Sequence, residues 1–342
     1  MENGEQAGKT GKAVINWAEV VKLSIPIFEG FIERRVIPTL RTVHYALVSK
    51  NIIPNTKSAY KGLSSAFVKA RKEGVIKWNW LADEGRDIEE GEYVYDQDPD
   101  DYADWEINNA VSELKKSLEG SSNFSYSHWK DQPYYVEVWI EKNALRATFQ
   151  EFLKGDYVTL VPSRGFSSWT FLKEAADRIR SKAKNKTPVI VYFGDFDPSG
   201  EDIERFLRDS MNGFFGIDIE VKRVGVTLDQ ISEYNLPSEP RSEEELEKLH
   251  KDARFKNWAH GDFVVELDAL LAYVPDEFKR IVQESVSEYY DEDIAYEVRK
   301  DEEEAREMIA DRMREELPEK INALLRELGL SNGDEDKKED EG

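Results

Sequence analysis

The sequence predicts a mixed α/β plus α+β protein: an α+β domain first, an α/β domain on a mostly parallel sheet second, and charged helices last. Two patterns carry this prediction. From residue 134 to about residue 275, apolar runs of strand length alternate with amphipathic runs of helix length. Such alternation is typical of parallel strands whose connecting helices cover both faces of the sheet. Residues 1–82 instead show helix-like runs that end in a single aromatic run of strand length.

The composition limits the kinds of site that the chain can form. The chain has 342 residues, a net charge of −23, no cysteine and four histidines. Because cysteine is absent and the histidines are scattered, disulfides and zinc sites are excluded, and any metal has to bind oxygen ligands. The sequence shows neither an apolar run of bilayer length nor a signal peptide. We therefore expect a cytoplasmic, nucleoid-associated protein with no membrane partner.

The charge is distributed unevenly along the chain. Residues 1–80 contain 13 Lys or Arg and 6 Asp or Glu, a local charge of +7, which leaves −30 for residues 81–342. A basic N-terminal part joined to an acidic remainder is consistent with a nucleic-acid-binding domain at one end.

The N-terminal part contains, in order, the elements of a winged helix. A helix over 14–33 is predicted to break near Pro26, a second helix follows Pro38, a third covers 57–72, and 75–81 is predicted to be a strand. We therefore interpret residues 1–82 as a winged-helix domain whose basic helix enters the major groove of double-stranded DNA. The alternative is an ordinary helical domain with a solvated basic face. The candidate DNA contacts on that helix are Lys57, Lys61, Lys69, Arg71 and Lys72.

The regions that flank the second domain are acidic. Residues 83–106 are rich in Asp and Glu with intervening Gly and Pro, so we interpret 83–133 as a linker or peripheral excursion, with a helix at 107–118. Acidic clusters can bind calcium, but the EF-hand spacing is missing. Residues 276–330 are predicted to form one or two charged helices, and 331–342 a disordered acidic tail.

The second domain, 134–275, delivers carboxylates to the ends of its strands. In VYFGDFDPSG an apolar strand ends at Asp195 and Asp197, which lie two residues apart and can point to a common place. Glu141 closes the first strand of the domain in the same way. Because neighbouring parallel strands end at the same edge of a sheet, the three carboxylates are expected to meet there and to bind a divalent cation. Glu266 and Asp268, in the predicted strand FVVELDAL, could add a second metal site, although solvation at a strand end explains them equally well.

Three motifs, WIEKNAL, VPSRGF and YFGDFDPSG, together resemble the Toprim domain of the topoisomerase VI A subunit and its relative, the meiotic double-strand-break protein. The resemblance covers about 36–80 and 134–275, and it implies that Glu141, Asp195 and Asp197 bind Mg²⁺. In that family an Arg lies four residues before a catalytic tyrosine, and LRTVHY supplies Arg41 and Tyr45.

The sequence also departs from the family pattern. Residues 163–167 replace the usual Lys-Gly-Tyr-Pro, although Arg164 there is still an expected DNA contact. His44 stands where the family usually has an aromatic residue before the tyrosine. No ATP-binding signature is present, so strand passage would need a separate ATPase-bearing B-like subunit. The resemblance therefore implies a short, stand-alone protein that is similar to the A subunit.

The resemblance implies a magnesium-dependent homodimer that breaks DNA by forming a tyrosyl link to a 5′ phosphate. On a helix, Arg41 and Tyr45 share a face, so the guanidinium could contact the phosphate that the hydroxyl attacks. The alternative for Tyr45 is a core residue, as most tyrosines on amphipathic helices are. Two further functions stay open: a Toprim nuclease that uses metal-activated water, and a non-catalytic DNA-binding module of a mobile-element or repair complex.

Overall fold

The structure, a computed structural model, describes residues 15–82, 98–118, 124–162 and 169–329. The chain forms two compact units, Met1–Asp87 with Gln132–Tyr290 and Ile88–Asp131 with Asp291–Gly342. The ranges predicted as winged helix and as α/β domain therefore both belong to the first unit. No described helix has the length and apolarity that crossing a bilayer requires.

The described α-helices and strands follow the chain in this order. The helices are α1 (Trp17–Glu33), α2 (Leu40–Ser49), α3 (Lys57–Lys72), α4 (Pro99–Leu118), α5 (Arg146–Phe152), α6 (Trp169–Ala183), α7 (Pro198–Arg208), α8 (Leu228–Tyr234), α9 (Glu243–Lys251), α10 (Leu267–Tyr273), α11 (Pro275–Ser287) and α12 (Glu292–Glu327). The strands are β1 (Tyr134–Ile140), β2 (Thr159–Pro162), β3 (Thr187–Phe193) and β4 (Glu220–Gly225).

The four described strands form one sheet in the order β2-β1-β3-β4, and every neighbouring pair is parallel. On one face Trp139 and Ile190 pack against α6 and α7. On the other face the ring of Phe193 lies 5.0 Å from that of Phe149 in α5, which in turn contacts Phe278 in α11. A strand that is buried on both faces needs continuous apolar sequence, and the central strand β3, TPVIVYF, has it from Val189 to Phe193. The prediction of a mostly parallel sheet covered on both sides is confirmed.

Two predictions for the N-terminal helices are wrong. Helix α1 runs through Pro26 without a break, because its buried face, including Phe28 and Phe31, holds both halves against the core although proline removes one backbone hydrogen bond. Residues 75–81 form a short 3₁₀ turn at Trp78–Trp80 instead of a strand. Trp78 is 64% exposed, and Arg71 and Lys77 lie over the two tryptophan rings, so the aromatic run does not alternate between two sheet faces.

The stretch FVVELDAL is not a strand either. Val265 makes an isolated antiparallel bridge with Phe196, and the chain then turns directly into α10. A short apolar run that is buried all round has no periodicity that separates strand from helix. Helix α10 packs along α2, so it joins the N-terminal helices to the sheet within the first unit.

The second unit contains α4 and α12, which contact each other. The carboxylate of Glu302 in α12 accepts a hydrogen bond from the backbone N–H of Tyr126, and Arg306 donates to the carbonyl of Phe124. Helix α4 begins at Pro99, so residues 99–106 of the acidic stretch are helical, while 83–97 lie outside the described residues. The predicted charged helices are α11 and α12, and α12 is continuous over 36 residues.

Candidate metal centre and its surroundings

Three predicted ligands follow two adjacent strands of the sheet. Glu141 comes directly after β1, and its N–H donates to the carbonyl of Phe193 at the end of β3. Asp195 and Asp197 come two and four residues after β3, and Asp197 is the N-cap of α7. The structure thus brings the three carboxylates to one edge of the sheet, as their positions at strand ends predicted.

One oxygen of each of these carboxylates accepts a hydrogen bond from a backbone N–H. Glu141 Oε2 accepts from the N–H of Asp195 and from the hydroxyl of Tyr192, both at 3.0 Å. Asp195 Oδ1 accepts from the N–H of Leu267 at 2.8 Å, and Asp197 Oδ1 accepts from the N–H of Gly200 at 2.6 Å. The second oxygen of each makes no hydrogen bond to the described part of the chain, and all three residues are half-buried. These second oxygens are the atoms that a cation could reach.

Two glycines and one arginine keep this loop compact. A Cβ at Gly194 would overlap Glu141 Oε2, and a Cβ at Gly200 would overlap the carbonyl oxygen of Asp195. From β4, Arg223 donates to the carbonyls of Asp195 (2.6 Å), Gly194 (3.4 Å) and Gly200. The positions of the carboxylates therefore depend on close backbone packing that only glycine permits.

The carboxylates at this edge disfavour one another's charge. Burial, and then the charge of Asp197, raises the pKa of Glu141. Burial, and then the charges of Glu141 and Glu266, raises the pKa of Asp195 well above its ordinary value. Burial also raises the pKa of Glu266 to about 7, against the opposing effect of Lys142 and Arg41. A bound cation would remove this repulsion, since an opposite charge favours the ionised form of a carboxyl group.

The donor set fits a hard cation in its chemistry, because Mg²⁺ prefers carboxylate oxygen and water. As the side chains stand, however, no group of three or more His, Asp or Glu side chains within the described ranges is arranged to hold a metal ion. Magnesium at this edge stays a prediction.

Tyr45 and Arg41, the predicted nucleophile and its partner, lie together on the buried face of α2. The Tyr45 side chain is fully buried and its hydroxyl donates to Glu266 Oε2 at 3.2 Å. Arg41 Nε lies 3.1 Å from the same oxygen, and its guanidinium lies over the ring of Tyr60. Burial, and then the charge of Glu266, raises the pKa of the Tyr45 hydroxyl. In this arrangement Tyr45 is a neutral hydrogen-bond donor between α2 and the chain that leads into α10.

Next to this group lies an ion pair whose carboxylate, Asp268, is fully buried and whose lysine, Lys142, is half-buried. Asp268 accepts from Lys142 Nζ at 2.6 Å, from Thr39 Oγ1 at 2.6 Å and from Thr42 Oγ1 at 3.0 Å. Lys142 directly follows the predicted ligand Glu141, and the two threonines open α2. Asp268 therefore fixes the start of α2 relative to the end of β1. Glu266 and Asp268 do not form the second metal site that was considered for them. Glu266 instead pairs with Arg41, and Asp268 pairs with Lys142.

The basic side chains of α3 have different surroundings. Lys61, Lys69 and Lys72 are exposed, and Lys69 has only a long contact of 3.8 Å with Glu73. Lys57 is half-buried and forms an ion pair with Glu245. Arg71 is half-buried beside Trp78. Arg164 lies outside the described residues. The exposed lysines therefore form the most accessible basic part of α3.

Several residues of this region were not found by sequence reasoning. Arg223 comes from the middle of β4, and Lys142 follows a predicted ligand without a motif of its own. Arg254 makes a two-point contact with Asp252 and donates to Ser199 Oγ at 2.7 Å, beside the predicted metal ligands. No sequence pattern predicts these contacts. Some of them join segments that are distant in the chain, and the others depend on local geometry.

No protein-family model matches this sequence, and no curated protein is significantly similar to it.

Proposed function

We propose that this chain is a magnesium-dependent enzyme that cleaves phosphodiester bonds of double-stranded DNA. One observation carries the proposal: Glu141, Asp195 and Asp197 end adjacent parallel strands, repel one another, and each keep one oxygen free of hydrogen bonds within the described chain. Like charges that lie close together, although they repel one another, are a feature of functional sites. The resemblance of the surrounding motifs to the Toprim domain of the topoisomerase VI A subunit supports the same substrate.

The all-parallel sheet supports a Toprim-like core, and the three N-terminal helices support a winged-helix-like DNA-binding part. Bound Mg²⁺ would neutralise charge on the scissile phosphate and lower the pKa of a nearby water. The chain's own residues would position the reaction: Arg223 holds the loop that carries Asp195, and the exposed lysines of α3 contact DNA phosphates.

Water is the nucleophile that the geometry favours. The Tyr45 hydroxyl is buried, its pKa is raised, and it is hydrogen-bonded to Glu266. Burial and the negative charge of Glu266 both disfavour a phenolate at this position. A tyrosyl link is the second candidate, favoured by a specific contact: Glu266 is in position to take the hydroxyl proton, with Arg41 beside it. That route requires the chain around the buried Tyr45 to open, so that a DNA phosphate can reach the hydroxyl while it still contacts Glu266.

A plasmid-nicking assay with Mg²⁺ tests the proposed enzyme. Asp197→Asn keeps a side-chain oxygen for the α7 cap but removes the negative charge, so we expect nicking to fall at least about a hundredfold with little loss of stability. Asp177→Asn, an exposed carboxylate on α6, is the matched control and should nick normally. Absence of nicking by the wild-type protein at any Mg²⁺ concentration would favour the non-catalytic DNA-binding module instead.

Tyr45→Phe separates the two nucleophiles. With water as nucleophile, cleavage persists in the variant and no protein is attached to the DNA. With tyrosine, the wild-type protein becomes covalently linked to a 5′ end and the variant forms no such link. Tyr234→Phe, which removes another hydroxyl that donates to a glutamate, is the control for loss of a Tyr–Glu hydrogen bond. The homodimer and the separate ATPase-bearing subunit implied by the resemblance are not needed for this assay.

A further inference from the structure

A cavity of about 500 Å³ lies in the first unit, between α1, α2 and the turn that joins α10 to α11. Its wall on α1 is one helix face, which carries Leu23, Ile27, Gly30 and Arg34 at intervals of three or four residues. This face extends over three turns of α1, about 16 Å. Volumes of this size are typical of small-molecule binding sites. No predicted metal ligand is among the described residues that line the cavity.

Small residues from three helices leave this space open. Gly30 in α1, Ala46 in α2 and Ala272 in α10 all line the cavity. Outside the backbone of α1, a Cβ added at Gly30 would have only Arg34 Nη1 within 4 Å, at an ordinary contact distance of 3.6 Å. Packed helices rarely leave voids larger than a water molecule between them, so a cavity of this size is a place where a ligand can be accommodated.

Two of the polar side chains at the cavity already have partners. Arg34 donates to the carboxylate of Asp276 at 2.6 and 2.8 Å and to the carbonyl of Gly30 at 2.8 Å. The hydroxyl of Ser49 donates to the carbonyl of Ala46 at 2.9 Å. Asp276 therefore neutralises the charge of Arg34, and the ion pair links the end of α1 to the start of α11.

Two other polar groups at the cavity have no partner in the described part of the chain. Lys50, the C-cap of α2, is exposed, and its ammonium makes no ion pair or hydrogen bond within the described ranges. The hydroxyl of the half-buried Tyr273 makes no hydrogen bond to a described residue, and burial raises its pKa, so it is a neutral donor. None of the described residues that line the cavity is Asp or Glu. The cavity thus combines one uncompensated positive charge with a largely apolar wall.

We propose that this cavity binds an aliphatic monocarboxylate, whose chain lies along α1 and whose carboxylate pairs with the ammonium of Lys50. A single negative charge matches the single uncompensated cation, whereas the two charges of a phosphate monoester would exceed it. An unbranched chain suits a space that extends along three turns of one helix, and the burial of its apolar carbon supplies most of the binding free energy. The proposal does not rest on metal binding or on DNA cleavage.

Isothermal titration calorimetry of the full chain with decanoate tests the ligand class. We expect one decanoate per chain, bound at least about tenfold more tightly than decanol, which has the same chain without the charge. Octanoate should bind more weakly than decanoate, by about fourfold for each CH₂ removed. Absence of saturable decanoate binding, or decanol bound as tightly as decanoate, would overturn the proposal.

Two variants test the site itself. Lys50→Gln changes an exposed residue, so circular dichroism should show a folded chain, while decanoate should bind at least about tenfold more weakly and decanol as before. Lys182→Gln, which removes an exposed lysine of α6 outside the cavity, is the matched control and should bind decanoate as the wild type does. Ala46→Leu adds apolar carbon inside the cavity and should weaken both ligands at least about tenfold, with a thermal melt to show that it folds. Decanoate binding that is unchanged in Lys50→Gln, or in a folded Ala46→Leu, would contradict the assignment.

Discussion

Asp268→Ala should destabilise the protein by about 3–5 kcal/mol, the range for removing one partner of a buried ion pair. The aspartate is fully buried and accepts from Lys142 and from the hydroxyls of Thr39 and Thr42. The variant leaves the lysine charge and two buried hydroxyls without their acceptor, so the cost is the desolvation of all three groups. Urea denaturation followed by circular dichroism measures it.

The control for this prediction is another aspartate in an ion pair. Asp276 contacts Arg34 at 2.6 Å but is largely exposed, so Asp276→Ala should cost at most about 1 kcal/mol. Asp268→Asn keeps an acceptor for the hydroxyls of the two threonines, so its loss of stability should lie between those of Asp268→Ala and Asp276→Ala. If Asp268→Ala costs no more than Asp276→Ala, then the buried ion pair does not hold α2 to the end of β1, and that part of the reasoning is refuted.

Three further predictions concern the same unit. Because burial raises the pKa of Glu266 from 4.5 to about 7, the folded state should lose stability as the pH rises through that interval, by about 3 kcal/mol. Glu266→Gln should reduce this loss in urea melts across the interval, and the part that remains belongs to Glu141 and Asp195, whose pKa values are also raised. Gly200→Ala should cost at least about 2 kcal/mol in the same melts, because its Cβ meets the carbonyl of Asp195, whereas Ala at Gly213, where the surroundings are open, should cost far less. Lys72→Gln should weaken binding to DNA of any sequence and lower the salt slope by about one, as measured by fluorescence anisotropy.

The sheet and the position of the acidic residues could be predicted because both depend on local sequence. Apolar runs separated by helices predict a parallel sheet. Glu141 and Asp195 lie at its edge because Glu141 follows β1 directly and Asp195 comes two residues after β3. The strand order and the helix α10 could not be predicted in this way. Residues 267–272 are buried all round, so they carry no periodicity, and the strand predicted over FVVELDAL was wrong.

The surroundings of Tyr45 could not be predicted because its partner is remote in sequence. Glu266 lies 221 residues further along the chain, and no local pattern connects the two. The four-residue spacing of Arg41 and Tyr45 correctly placed them on one face of a helix, but spacing alone does not say whether that face is buried. Whether Tyr45 acts on DNA stays a prediction.

The acidic edge of the sheet is the centre of this account, and Mg²⁺ binding near neutral pH tests it most directly. Isothermal titration calorimetry in two buffers of different ionisation enthalpy gives both the affinity and the protons released. Because the pKa values of Glu141 and Asp195 are raised, we expect binding to release protons and to disappear in Asp197→Asn. Binding that is absent from the wild type, or unchanged in Asp197→Asn, would contradict a metal centre at this edge.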